Sequence, residues 1–184
     1  MRALSARRRF AVALMLGLAG VCSSAQAANY PDHAVKIVVP FPAGGTADAV
    51  PRIIAEWLSR KWGQPVIIEN HAGAGGNIGA ELVYKSAPDG YTLLSAPPSP
   101  LVVNQNLYPN LGFDPAKFEP VIVMAQVPNA LLVNPDKVKA ASLDAFIADL
   151  KQHPDTVMAA TQGNGTTSHL TTELFNLKAK VKLR

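Results

Sequence analysis

Cysteine occurs once in the 184 residues, at Cys22. That position falls in a segment expected to be removed on export, so the mature chain carries no thiol. A disulfide framework, a thiolate metal site and a cysteine nucleophile are therefore excluded. Charge is also sparse, with charged residues at 16% and aromatics at 7%. The formal excess of +4 is confined to the two ends: Arg2, Arg7, Arg8 and Arg9 at one, Lys178, Lys180, Lys182 and Arg184 at the other. Residues 28–177 hold 9 Lys and Arg against 13 Asp and Glu. No basic face remains to neutralise phosphates, which argues against nucleic acid as a partner. A G-x-S-x-G elbow is missing as well, and His33, His71, His153 and His169 lie scattered without metal-ligand spacing. The glycine cluster at 73–76 has Ile78 where a dinucleotide fingerprint needs glycine, and no lysine follows a glycine loop as in a phosphate-binding loop. No catalytic residue, metal or cofactor is expected.

Long apolar runs are lacking too. The longest, residues 10–21, has 12 residues, whereas a membrane-spanning helix needs about 20. It follows the basic start and precedes Ala25-Gln26-Ala27, an A-x-A cleavage site, so residues 1–27 read as a secretory signal peptide. Arg7-Arg8-Arg9 suits an ordinary basic leader better than a twin-arginine one, and Val21 before Cys22 argues against lipidation. Export and a cysteine-free product together point to a bacterial periplasm.

What the sequence does contain is a repeated arrangement of apolar strand, glycine loop and helix. Val35–Val39 is a near-continuous apolar strand of the kind covered on both faces. Phe41-Pro42-Ala43-Gly44-Gly45-Thr46-Ala47-Asp48 follows it. A helix over 50–58 comes next, with Val50, Ile53, Ile54, Trp57 and Leu58 on one face and Pro51 in its first turn. The loop thus presents bare backbone N–H groups at a helix start, a place for a carboxylate. Residues 65–69 form the second strand. The loop 72–77 opens a helix over 78–86, with Asn77 capping that helix or lining a cleft. Residues 91–94 are the third strand. This rhythm predicts an α/β domain with a mainly parallel sheet. The proline-rich segment 95–120 forbids one long element, although 101–107 suits a short helix. Strands are expected at 121–125, 130–133 and 156–160, with helices from Ser142 to Lys151 and from His169 to Leu177. A domain crossover is placed near 126–129, giving domain one over 28–126 and a second, partial domain over 127–184. Two strands and two helices do not close an α/β domain, so the chain reads as truncated.

Several residues carry two readings. Asp48 either pairs with Arg52 one helical turn on or orients a water or a solute donor. One of Thr166, Thr167 and Ser168 caps the last helix, leaving the others for a solute. His169 reads as structural.

The stretches Tyr30-Pro31 with 35–40, 41–48, Glu69-Asn70-His71-Ala72-Gly73-Ala74-Gly75-Gly76-Asn77-Ile78-Gly79-Ala80, Ala87-Pro88-Asp89-Gly90-Tyr91-Thr92-Leu93, and 163–170 with Glu173-Leu174-Phe175 occur in one order. In that order they resemble the substrate-binding receptors of tripartite tricarboxylate transporters, the Bug or TctC-type family. The resemblance implies a periplasmic-binding-protein-like two-domain clamshell, with a mainly parallel sheet in each domain and the second domain incomplete here. It implies no enzyme. The expected role is a monomeric receptor that captures a small carboxylate, such as a di- or tricarboxylate or an acidic amino acid, for the membrane subunits of the transporter. It assigns solute contact to Ala43, Gly44, Gly45 and Asp48 on one loop. On the other it assigns Gly163, Gly165, Thr166 and Ser168, where Thr166-Thr167 replaces a more usual Gly-Ser pair. Asn77 completes the expected set. Two other functions stay open: a secreted hydrolase or lyase using Asp48 and His169 as an acid–base pair, and a truncated product without function.

Overall fold

Val35-Lys36-Ile37-Val38-Val39 offers the chain four stiff apolar side chains that favour extended backbone and must leave water. In the computed structural model, which describes residues 29–184, this run is strand β1 (Val35–Val39). It lies at the centre of a parallel sheet in the order β2–β1–β3, flanked by β2 (Val66–Asn70) and β3 (Thr92–Leu94). Val35, Val38 and Val39 are fully buried. Lys36, the one outward residue of β1, pairs with Glu69 of β2 at 2.9 Å. That lysine, with His71 a lesser partner, holds the Glu69 carboxyl below its ordinary range. The expected signal peptide lies outside the described residues. Among the described residues, His33–Arg184 forms one compact unit.

The strand order fixes where the helices go. From β1 the chain crosses to β2 through helix α1 (Thr46–Trp62), then returns past β1 to β3 through helix α2 (Asn77–Tyr84). Right-handed crossovers in opposite directions place the two helices on opposite faces of the sheet. The direction reverses between β1 and β3, and a crevice opens there outside the carboxyl ends of the strands.

Helix α1 ends as expected, at Gly63 with φ +67° and its N–H on Ser59 O at 3.0 Å. It starts four residues earlier than expected, so Pro51 lies in its second turn rather than its first. The buried stripe is also rotated. Asp48, Pro51 and Ala55 face the sheet, while Ile53 and Trp57 are 70% and 52% exposed. Small side chains let the helix approach closely, and the anchored Asp48 sets its rotation. Trp57 is instead covered in part by Lys61, whose ammonium stands 4.7 Å from the ring centroid. Helix α2 packs through Gly79, where a Cβ would come within 3.0 Å of Pro40 and of the His71 carbonyl.

Residues 95–120 fold as short turns. The expected helix over 101–107 is broken into a π-helical turn (Ser99–Val103) and a 3-10 turn (Asn104–Asn106). Tyr84, Phe113 and Phe118 close this region in edge and tilted contacts with centroids 5.9–6.4 Å apart.

Beyond it lie α3 (Leu143–Gln152), capped by Ser142 Oγ, which accepts from Ala145 N at 3.2 Å, and α4 (Thr167–Ala179). Phe146, Leu150 and Leu183 form a second core with Val138, Val157, Phe175 and Val181 around it. The strands expected at 121–125, 130–133 and 156–160 are not formed. Val121, Ile122, Val123 and Leu132 are more than three-quarters exposed. A strand exists only when its N–H and C=O groups meet another's, and apolar composition alone cannot supply the partner. At 156–160 pairing begins, since Ala159 N donates to Arg184 O at 2.7 Å and Arg184 N to Val157 O at 3.0 Å.

Candidate functional site

Each parallel strand delivers its loop to the same edge of the sheet. After β1 comes residues 40–45, after β2 residues 71–76, and the third polar loop, 161–166, enters α4 beside them. A cavity of about 380 Å³ lies where they meet, lined by Pro40, Phe41, Pro42, Gly73, Gln162 and Gly163 among others.

The first loop is held from beneath. Asp48 is 3% exposed, and both its oxygens are engaged. Oδ2 accepts from Gly44 N and from Arg52 Nε, each at 2.9 Å, while Oδ1 accepts from Asn70 Nδ2 at 2.9 Å. Asn70 Nδ2 also reaches Phe41 O at 3.0 Å, and Arg52 Nη2 closes the ring on Asn70 Oδ1 at 2.9 Å. Arg52 first, then the Gly44 N–H and Asn70, hold the Asp48 carboxyl far below the usual carboxylate range. Asp48 in turn raises Arg52. Of the two sequence readings for Asp48, the helix pair with Arg52 is present and is extended into a network. Its carboxylate positions the loop.

That network shortens the expected row of bare N–H groups, because the Gly44 N–H is taken by Asp48. Among the described residues, the N–H groups of Gly45, Thr46 and Ala47 have no such partner at the start of α1, whose cap Gly45 offers no side chain. Ala43, Gly44 and Gly45 are exposed, and Gly44 has φ +96°.

The second loop is the most unusual backbone of the chain. Gly73, Ala74, Gly75 and Gly76 all have positive φ, at +135°, +48°, +65° and +95°. Only Ala74 carries the Cβ penalty of that region. Asn77 corrects the expected cap: Gly76 is the N-cap of α2 and no side chain caps it. Asn77 already lies inside the helix, and its Oδ1 accepts from Asn104 Nδ2 at 2.6 Å.

The third loop is closed on itself. Thr166 is the N-cap of α4, 2% exposed, with Oγ1 accepting from His169 N at 3.4 Å and donating to Gly163 O at 2.6 Å. Ser168 Oγ accepts from Gln162 N at 3.1 Å. His169 Nδ1 accepts from Gly165 N at 3.2 Å, which gives it a loop-holding role and sets Nε2 as its protonated nitrogen. Gly163 is exposed at φ +120°, whereas Gly165 is buried at φ +78°. Asp48 and His169 are each committed to their own loop by these bonds.

Two residues carry the arrangement without having been singled out from sequence. Asn70 ends a parallel strand, a position where site residues concentrate, and that signal could have found it. Asn104 sits in a proline-rich stretch with no periodicity, and nothing in its sequence context marks it.

A family model described as the tripartite tricarboxylate transporter family receptor matches residues 50–184. Protein BugT of Bordetella pertussis is 41% identical over 169 residues, covering 91% of this chain and 52% of BugT. An R. palustris protein solved with adipate superposes with a TM-score of 0.80 at 39% identity, over 84% of this chain and 52% of that one. MatC from Rhodopseudomonas palustris, solved with bound malate, gives 0.75 at 34% identity over the same shares. The chain spans about half the length of the curated relatives it matches. With 135 of its 184 residues, 50–184, inside the family match, the chain belongs to the tripartite tricarboxylate transporter receptor family.

Proposed function

We propose that this chain is the part of a periplasmic solute receptor that grips a small carboxylate, and that it works by binding rather than by catalysis. One observation carries this: three glycine-bearing loops converge on one cavity, at the carboxyl edge of a parallel sheet where the strand order reverses. Helix starts and left-handed glycine turns present N–H groups, which suit an anion. Each charge-assisted bond contributes roughly 1.5–3 kcal/mol. Three or four, less the cost of association, reach the roughly −8 kcal/mol of a micromolar site.

The adipate and malate seen with two relatives suggest a dicarboxylate as the solute, handed to the membrane subunits of a tripartite transporter. Ala43, Gly44 and Gly45 on the first loop, and Gly163 and Ser168 on the third, are proposed to frame it. The buried Gly165 and Thr166, with Asp48 and Asn77, are proposed to support them from behind. The division into residues 28–126 and 127–184 is likewise a proposal. It is supported by two separate apolar cores, one under β1 and one at Phe146, Leu150 and Leu183.

The test is a thermal-shift screen of di- and tricarboxylates and acidic amino acids, followed by calorimetry. A solute at a hundredfold excess over its Kd adds about 2.7 kcal/mol of stability. Adipate or malate is expected to raise Tm. A panel in which no carboxylate does so, with the protein folded, would overturn this function.

A further inference from the structure

Asn104 is 0% exposed and reaches three separate parts of the site. Its Nδ2 donates to Gly75 O at 3.0 Å and to Asn77 Oδ1 at 2.6 Å, one on each side of the entry into α2. Its backbone is fixed in turn, with N–H on Ser99 O and C=O accepting from Leu107 N and Tyr108 N at 3.0 and 2.9 Å. Its Oδ1 is buried with no hydrogen-bond partner among the described residues. That oxygen faces the third loop: a Cβ on Gly165 would stand 3.0 Å from it and 2.7 Å from Leu107 Cδ1. From the other side, a Cβ on Gly75 would meet Asn104 Nδ2 at 3.3 Å, Tyr108 OH at 3.1 Å and Asn164 O at 3.3 Å. Two glycines of different loops, both already at positive φ, therefore pack against one turn, 104–108, with no room for a Cβ.

We propose that Asn104 is the positioning residue that sets the spacing between the second and third loops of the carboxylate cavity. Its amide nitrogen holds the second loop in a conformation with four positive φ values, one of them at an alanine. Its oxygen and the neighbouring Leu107 admit the third loop only at glycine. A residue that donates twice while fitting a small planar end against a closely packed backbone must be an amide of this length. Aspartate has the shape and lacks the donors, and alanine lacks both. The inference rests on the carboxylate reading for what the spacing is used for, and on geometry alone for the spacing itself.

The test uses the 184-residue chain, with amide hydrogen exchange read at residues 73–77 and 163–166 and calorimetry against malate and adipate. In Asn104→Ala, exchange is expected to speed up at both loops together, with affinity lower by about tenfold, the scale of one lost hydrogen bond between well-placed partners. In Asn104→Asp the ionised side chain faces Gly75 O and Asn77 Oδ1. Burial beside two acceptor oxygens raises that carboxyl above its ordinary range, so its affinity relative to wild type is expected to fall at pH 8 and to recover in part towards pH 5, as the acid gains one proton to donate. A residue that merely fills space would not give that recovery. The Asn77→Ala/Asn104→Ala double variant is expected to lose less than the sum of the singles, because they share a bond. Unchanged exchange at either loop, or an Asn104→Asp deficit independent of pH, would overturn the proposal. Should wild type bind no carboxylate, the functional reading fails while coupled exchange at the two loops still stands or falls on its own.

Discussion

Gly44 and Gly45 look equivalent in the sequence and are not equivalent in the fold. Gly44 stands at φ +96° with its N–H on Asp48, whereas Gly45 has φ −84°, and a Cβ on either meets nothing within 4 Å. A valine at 44 must adopt a left-handed conformation that costs on the order of 1–2 kcal/mol. Gly44→Val is therefore expected to lose at least about tenfold in carboxylate affinity, with lowered Tm. Gly45→Ala, at an N-cap where alanine is worse than glycine, should cost no more than about 1 kcal/mol of stability. Any affinity it loses then measures how closely the solute approaches the backbone, which calorimetry on the two variants separates. Asp48 makes a pH prediction. Its carboxyl is depressed in the folded protein, so the stability it contributes is fully present above the unfolded value of about 3.9 and is lost as pH falls below it. Asp48→Asn removes the charged partner of Arg52. It should lower Tm by a few degrees at pH 7 and leave a shallower loss of Tm between pH 5 and 3. Parallel acid limbs for the two proteins would contradict the network.

At the scale of elements, Gly79 reverses an ordinary rule. Replacing a glycine inside a helix by alanine usually stabilises by about 1 kcal/mol. Here the added Cβ meets Pro40 and the His71 carbonyl within 3.0 Å, so α2 must move off the end of β1. Gly79→Ala is expected to destabilise by about 1–3 kcal/mol, read from urea unfolding. Elements with a local cause were legible in the sequence: Ser142 caps α3, Gly63 ends α1, and the β1 loop leads into a helix. Those that depend on a partner were not. The inward face of α1 follows Asp48, Pro51 and Ala55 rather than Ile53 and Trp57, because the ring of bonds from Asp48 to Asn70 fixes the helix rotation. Apolar runs at 121–125 and 130–133 predicted strands that need neighbours to pair with, and stay exposed outside any strand.

For the whole molecule, the two cores share no buried residue, so damage to one is expected to be felt locally. Phe146 is 4% exposed within the second core. Phe146→Ala should cost that core about 3–5 kcal/mol. Hydrogen exchange is expected to quicken in α3, in α4 and around 181–184 while β1 keeps its protection. Equal loss of protection in β1 would mean that the cores fold as one, and with it the proposed division near residues 126–129 would fail.

The sequence by itself determined the class of the fold and the three glycine loops, since these follow from local patterns: apolar runs, glycines at turns, caps at helix starts; the family was legible as a resemblance in an ordered set of motifs. Tertiary structure alone decided which of those groups remain available. It spent the Gly44 N–H on Asp48, drew Asn77 away from capping towards Asn104, and brought the second loop into the cavity wall. The reason is physical. A motif fixes what a backbone can offer, but the groups that hold it lie far along the chain: Asp48, which takes the Gly44 N–H, is itself held by Asn70, 22 positions on, and the Gly75 carbonyl by Asn104, 29 positions on.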